Sequence, residues 1–137
     1  MGGFAFFDVD HTLINGSTGA ELAREGFREG VIPFFVLLKL PALYLRYRFG
    51  GFNPVILEKL LRLIAGMHIE EIQEMGQRVY RRAIGKKIFC EAIELIEKER
   101  EYGREVVLAT TSLDCAVEPL AEYLGIDQII STELELK

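Results

Sequence analysis

The apolar positions of this chain fall into two rhythms, one for strands and one for helices. Phe4-Ala5-Phe6-Phe7 is apolar at every position and gives way to Asp8-Val9-Asp10. A short run apolar on both faces, with acids at its carboxyl end, predicts a buried parallel strand. Asn15-Gly16-Ser17-Thr18-Gly19 is a turn cluster, and Ala20 to Gly30 interleaves charges with Leu22, Ala23 and Phe27 as an amphipathic helix does. Val31 to Leu45 is strongly apolar, punctuated by Pro33 and Pro41, and reads as a buried helix pair. Gly50-Gly51-Phe52-Asn53-Pro54 then breaks the chain, with Asn53 as N-cap and Pro54 at the first helical position. Leu57, Leu60, Leu61 and Ile64 carry the next helix to Gly66, and a further helix runs from Ile69 to about Ala83.

After Gly85 the rhythm shortens. Glu91 to Tyr102 is a helix stopped by Gly103, Glu105 to Ala109 is a second buried strand, and Thr110-Thr111-Ser112 follows its carboxyl end. Cys115 to Tyr123 reads as a helix interrupted or started late by Pro119, with Gly125 behind it and a third strand within Ile126 to Ser131. Strands alternating with helices predict an α/β fold with a parallel sheet, and the long helical stretch is an insertion after the first strand, able to pack as a lid. The expected division is an α/β core made of residues 1–16 and 85–137, with a helical cap at 17–84.

Composition narrows this picture only a little. The 137 residues suit one domain, half of them hydrophobic and 27% charged, and the net charge of −5 argues against a nucleic-acid partner. Cys90 and Cys115 lie far apart, so neither a metal site nor a disulfide framework is expected, and both are read as buried free thiols. Reduced thiols, and a start at Met1-Gly2-Gly3-Phe4 without basic residues or a long apolar run, point to the cytoplasm. Val31 to Leu45 is too short for a membrane span of about 20 residues and is interrupted by Lys39.

Chemistry gathers at the two strand ends. In open parallel sheets ligands bind beyond the carboxyl ends of the strands, where Asp8-Val9-Asp10-His11-Thr12 and Thr110-Thr111-Ser112 both fall. Asp8 and Asp10 are two apart, so on extended backbone their side chains lean the same way. Two close carboxylates suit a hard divalent cation, and one of them can act as a nucleophile.

These motifs resemble those of the haloacid dehalogenase-like superfamily. Phe6-Phe7-Asp8-Val9-Asp10-His11-Thr12-Leu13 is similar to its first signature, hydrophobic residues followed by DxDxT. Val106 to Thr110 is similar to the second, a hydrophobic strand ending in Ser or Thr. Asp8 to Glu25, Gly103 to Val107 and Leu124 to Asp127 look like the phosphoserine phosphatase branch. The resemblance implies a Rossmann-like parallel sheet with a helical cap inserted after the first strand. It implies a magnesium-dependent phosphate-monoester hydrolase in which Asp8 attacks phosphorus and forms an aspartyl-phosphate. Asp10 would protonate the leaving oxygen and then activate water; Thr110, with backbone N–H groups near Val9, Asp10 and Thr111, would hold the phosphoryl group. Magnesium would bridge the Asp8 carboxylate and the Asp10 carbonyl, and the substrate would be a small phosphorylated metabolite.

Two departures qualify that expectation. Where the phosphoserine enzymes place a Glu to meet the substrate amine, this chain has Ser17, which makes phosphoserine a poor candidate. The family's third signature, a Lys, and its fourth, an acidic pair, have no counterpart up to Lys137, so the C-terminal part of the core is expected to be missing. A second expectation therefore stands beside the enzyme: a non-catalytic domain that keeps the fold and binds a phosphorylated ligand or a partner protein. With the first strand exposed as an edge, a homo-oligomer or a complementing chain is expected. His11, at the variable position of DxDxT, is expected to be structural rather than leaving-group-facing, and His68 to be solvated or capping. Tyr44, Arg46, Tyr47 and Arg48, like Arg81, Arg82, Lys86 and Lys87, are expected to be solvated, although the latter group lies near the junction where phosphate would enter.

Overall fold

The computed structural model describes residues 2–50 and 54–134. Three parallel strands, β1 (Gly3–Phe7), β2 (Arg104–Leu113) and β3 (Gln128–Thr132), stand in the order β1-β2-β3. Between β1 and β2 come α1 (Thr18–Arg28), α2 (Phe34–Arg48), α3 (Pro54–Leu61), α4 (Ile69–Arg82), a 3-10 turn at Ile84–Lys86 and α5 (Cys90–Glu101). Helix α6 (Asp114–Leu124) joins β2 to β3. This is the α/β arrangement expected, with the helical insertion after the first strand.

The register explains the core. Ala5 pairs with Val106 and Phe7 with Leu108, and these residues, with Ile129, pack against Ala92 and Ile96 of α5 and Ala116, Val117, Leu120 and Leu124 of α6. Both helices lie on that one face. On the other face Phe4, Phe6 and Ile130 are 58%, 63% and 59% exposed, and the rings of Phe4 and Phe6 stand 6.2 Å apart. The expected burial of β1 on both faces is thus corrected: its even positions have no layer over them among the described residues.

Several local expectations also change. Val31–Leu45 is not a buried pair; α2 runs straight through Pro41 and leaves Phe34, Phe35, Leu38 and Leu45 exposed. β2 continues past Ala109 to Leu113, with an irregular register between those residues, so Thr110, Thr111 and Ser112 sit within the strand's end. α3 stops at Leu61, before the left-handed Gly66, and Cys90 is exposed where a buried thiol was expected. The Asn53 cap and the side chains of Tyr44, Tyr47, Arg48, Leu57 and Leu60 lie outside the described residues.

Two devices fix the helices on the sheet. Helix α6 passes through Pro119, which has no N–H, so the Cys115 carbonyl four residues back loses its usual helical donor. Gly76 of α4 stands against that carbonyl so closely that a β-carbon there would lie 1.9 Å from its oxygen. Elsewhere α4 is tied to α1 by ions: the buried Glu25 carboxylate, also paired with Arg28 of its own helix, meets Arg82 at 2.6 Å, and Glu29 meets Arg78 at 2.7 Å.

Candidate active site

Beyond Phe7 the chain leaves the sheet and coils on itself. The Val9 carbonyl accepts from the N–H groups of Thr12, Leu13 and Ile14 at 3.0–3.2 Å, and His11, held in the left-handed region at φ 56°, donates its N–H to Gly16. His tolerates that backbone better than most residues. Val9 is fully buried beneath the coil, so Asp8 and Asp10 on either side of it emerge at the carboxyl end of β1. The returning segment then pairs with the far end of the helical insertion: Asn15 N–H donates to the Lys87 carbonyl at 2.8 Å and Phe89 N–H to the Leu13 carbonyl at 3.0 Å.

Asp8 is exposed, whereas Asp10 is half-buried and held. Its Oδ1 accepts from the backbone N–H and from the hydroxyl of Thr18, each at 2.9 Å, and its Oδ2 accepts from the Ser17 hydroxyl at 3.2 Å. Ser17 is the N-cap of α1, accepting from Ala20 N–H at 3.4 Å. The start of α1 is therefore aimed at Asp10.

The Thr18 oxygen also lies 2.7 Å from the Ser112 hydroxyl, which lies 3.1 Å from that of Thr110. A threonine hydroxyl has one proton and a carboxylate oxygen can only accept, so the Thr18 proton goes to Asp10 and Ser112 donates to Thr18. Hydroxyls thus link Thr110 at the end of β2 to Asp10 at the end of β1. Thr111 is exposed, and its carbonyl accepts from the Thr132 hydroxyl at 2.9 Å.

Thr18 and Ser112 were not singled out from the sequence as site residues. The usable signal was Ser17-Thr18 ahead of an amphipathic helix, which is an N-cap pattern. Two of the basic residues near the junction are engaged elsewhere: Lys87 meets Glu21 at 2.6 Å and Arg82 meets Glu25. Burial alone would raise the Glu21 pKa, yet Lys87 and Arg24 together hold it below the usual value. At the start of α4, His68 N–H donates to the Glu71 carboxylate at 3.0 Å, a capping role.

A cavity of about 240 Å³ opens from the Asp10–Ser112 end and runs between α1, α2 and α4. Asp10, Thr18, Thr111, Ser112 and Thr132 form its polar part; the rest of its wall is apolar apart from the neutral thiol of Cys115. Among the described residues no group of three or more His, Cys, Asp and Glu side chains could hold a metal ion. The candidate ligands are oxygens alone: the Asp8 carboxylate and the Asp10 carbonyl, which lies 3.5 Å from the Thr12 hydroxyl. Hard oxygen donors at a strand end fit magnesium rather than a softer ion.

Known proteins resemble this chain in sequence and in fold. Residues 5–137 match the haloacid dehalogenase-like hydrolase family. The chain belongs to that family. It is 29% identical over 134 residues to the inhibition of morphological differentiation protein of Streptomyces azureus, covering 95% of this chain and 48% of that protein. It is 26% identical to phosphoserine phosphatase SerB1 of Mycobacterium tuberculosis, covering 96% and 44% of the two chains. A solved protein of unknown function from Bordetella pertussis Tohama I superposes with a TM-score of 0.82 at 22% identity, over 99% of this chain and 62% of that one, and shows the fold alone. A phospho-aspartyl intermediate analogue of phosphoserine phosphatase superposes with a TM-score of 0.70 at 26% identity, over 98% of this chain and 58% of the other. The chain spans about half the length of the curated relatives it matches. No helix among the described residues is long and apolar enough to cross a membrane.

Proposed function

We propose that this chain supplies the nucleophile, the acid–base carboxylate and a phosphate-binding hydroxyl of a magnesium-dependent phosphate-monoester hydrolase. The observation that carries the reading is the contrast between its two acids. Asp8 is exposed at the strand end, open to an in-line approach to phosphorus, and its carboxylate would attack to give an aspartyl-phosphate. Asp10 is clamped. With Oδ1 engaged by two donors and Oδ2 by a single longer bond, Oδ2 keeps the capacity to give a proton to the leaving oxygen and later take one from water. Thr110 stands at the neighbouring strand end, where its hydroxyl, now donating to Ser112, would turn to hold a phosphoryl oxygen.

The Asp8 carboxylate and the Asp10 carbonyl would hold magnesium, which when bound offsets charge on the phosphate. Residues 17–84 would serve as the cap over this site. The substrate is a small phosphorylated metabolite, and two free cysteines accord with a cytoplasmic setting. The β1 edge, unpaired among the described residues, would take further strands, as a second copy or a complementing chain could supply.

A second reading, a domain that binds a phosphorylated ligand without turnover, is favoured by the sparse metal site. Asp8→Asn separates the two. With an aryl phosphate and magnesium, the substitution is expected to remove hydrolysis while leaving the circular dichroism spectrum unchanged. Equal rates in both proteins would remove Asp8 from the mechanism; no hydrolysis in either would favour the binding domain.

A further inference from the structure

The cavity beside the proposed site carries information about the leaving group. We propose that it receives an apolar alcohol portion, so that the preferred substrates are alkyl or aryl phosphate monoesters rather than phosphorylated amino acids or sugars. The inference rests on the hydrolase reading for its reaction, but on the cavity itself for its specificity.

Three observations point the same way. First, one face of α1 is given over to the cavity: Gly19, Leu22, Ala23 and Gly26 recur at helical spacing along its wall, opposite Leu40 of α2 and Ile72 of α4. Second, among the described residues, Asp10 at the mouth is the one carboxyl side chain in the lining, which holds no Lys, Arg or His. The acids of α1 that might have met an ammonium group are committed elsewhere, Glu21 to Lys87 and Arg24, Glu25 to Arg82 and Arg28. Ser17, at the position that might have met an amine, spends its hydroxyl on Asp10 and on the Ala20 N–H. A zwitterionic leaving group would have to shed water around two charges with no partner to replace it. A sugar would leave several hydroxyls unpaired in the same way.

Third, the size is right for a hydrocarbon. A cavity of roughly 150 Å³ lined by aliphatic side chains holds a benzene ring. This one, at about 240 Å³, has room for something on the order of ten carbon atoms. The reactive oxygen would sit at the Asp10 end and the hydrocarbon would run inward past Leu22 toward Ile72.

The test is a chain-length series measured on the full chain with magnesium: ethyl, butyl, hexyl, octyl and dodecyl phosphate, with phosphoserine and glucose 6-phosphate beside them. The expected result is a rise in kcat/KM of roughly fourfold for each added methylene, levelling off near the length the cavity holds. Phosphoserine should fall below butyl phosphate. Binding of the matching alkyl phosphonates, followed by calorimetry, should show the same rise and plateau whether or not the chain turns over. Ala23→Phe and Leu40→Phe each fill the cavity from a different helix, and either should lower the ratio of octyl to ethyl phosphate by at least tenfold. A rate independent of chain length, or a preference for phosphoserine or the sugar phosphate, would overturn the inference while leaving the hydrolase reading in place. A length-dependent phosphonate affinity without any hydrolysis would keep the inference and sink the hydrolase reading. Absence of both length dependences would overturn the inference.

Discussion

Replacing Gly76 by alanine should destabilise the protein, although alanine is the better helix former. Alanine in a helix interior gains about 1 kcal/mol over glycine when nothing else changes. At Gly76 the added methyl would lie 1.9 Å from the Cys115 carbonyl oxygen and 2.7 Å from its carbon. Ordinary carbon–oxygen contacts stand at about 3.3 Å, so α4 and α6 would have to part by more than about 1 Å. The neighbour is backbone, held by the turns of α6, and cannot rotate away as a side chain could. A gap of that size forfeits about a quarter to a half of the dispersion attraction across the contact, and overpacking of this kind costs about 1–3 kcal/mol or somewhat more. Taking the upper end against the propensity gain leaves a net loss of about 2 kcal/mol, or roughly 6 °C in Tm for a domain of this size. Urea unfolding followed by circular dichroism reads the difference directly. Gly19→Ala is the control, since a β-carbon there meets the Ser17 Oγ only at 3.7 Å; it should leave stability unchanged or raise it by a few tenths of a kcal/mol. If Gly76→Ala proves as stable as the parent, α4 and α6 are not in contact through this carbonyl and the reasoning fails.

The two cysteines should differ sharply. Burial, with Asp114 and Glu118 adding to it, pushes the Cys115 thiol up to about 12, while Cys90 is exposed. A thiol reagent at about pH 8 should therefore consume one equivalent quickly and the second only on unfolding; two fast equivalents would contradict the placement of Cys115. The same shift sets a pH dependence. The unfolded thiol gives up its proton near 9 while the folded one holds it to about 12, so this contribution is intact below about pH 9 and is lost as pH rises toward 12. Cys115→Ala should flatten the fall in urea midpoint across that range. At low micromolar concentration, light scattering should find the chain self-associating through the β1 edge and the bare face carrying Phe4 and Phe6; a clean monomer would refute this use of the edge.

Much of the site was legible because it sits where chain direction alone puts it. Asp8, Asp10 and Thr110 follow apolar runs, and a parallel sheet delivers the ends of its strands to one rim. Gly103 and Gly125 announced helix ends and adopt φ of 73° and 63°. Less legible were features made by partners distant in sequence. Pro41 suggested a break between two helices, yet α2 continues, because Pro41 lies exposed and water can serve the carbonyl that loses its bond. Pro119 read as an interruption or late start of its helix, and Gly76 drew no reading at all. Only their packing shows that the carbonyl released by one is covered by the other. Ser112 and Thr18, 94 residues apart, share a hydrogen bond that no local pattern encodes. Cys90 was misplaced because a thiol beside apolar residues reads as core, whereas position one of α5 faces outward.

The pairing of residues 13–15 with 87–89 bears on how a bound molecule enters and leaves. Two chain crossings lying side by side and hydrogen-bonded act as one ribbon, which bends about a single axis and resists twisting. Such a ribbon would leave the helical insertion one easy bending motion relative to the sheet, and the close Gly76–Cys115 contact would oppose it. Traffic into the cavity would then pass its Asp10–Ser112 mouth, with Leu40 on α2 and Ile64 after α3, both half-buried on its wall, as the neighbours that yield to an occupant. Exchange of occupants would follow the local breathing of those two segments, while Asp10 keeps its hold on the start of α1.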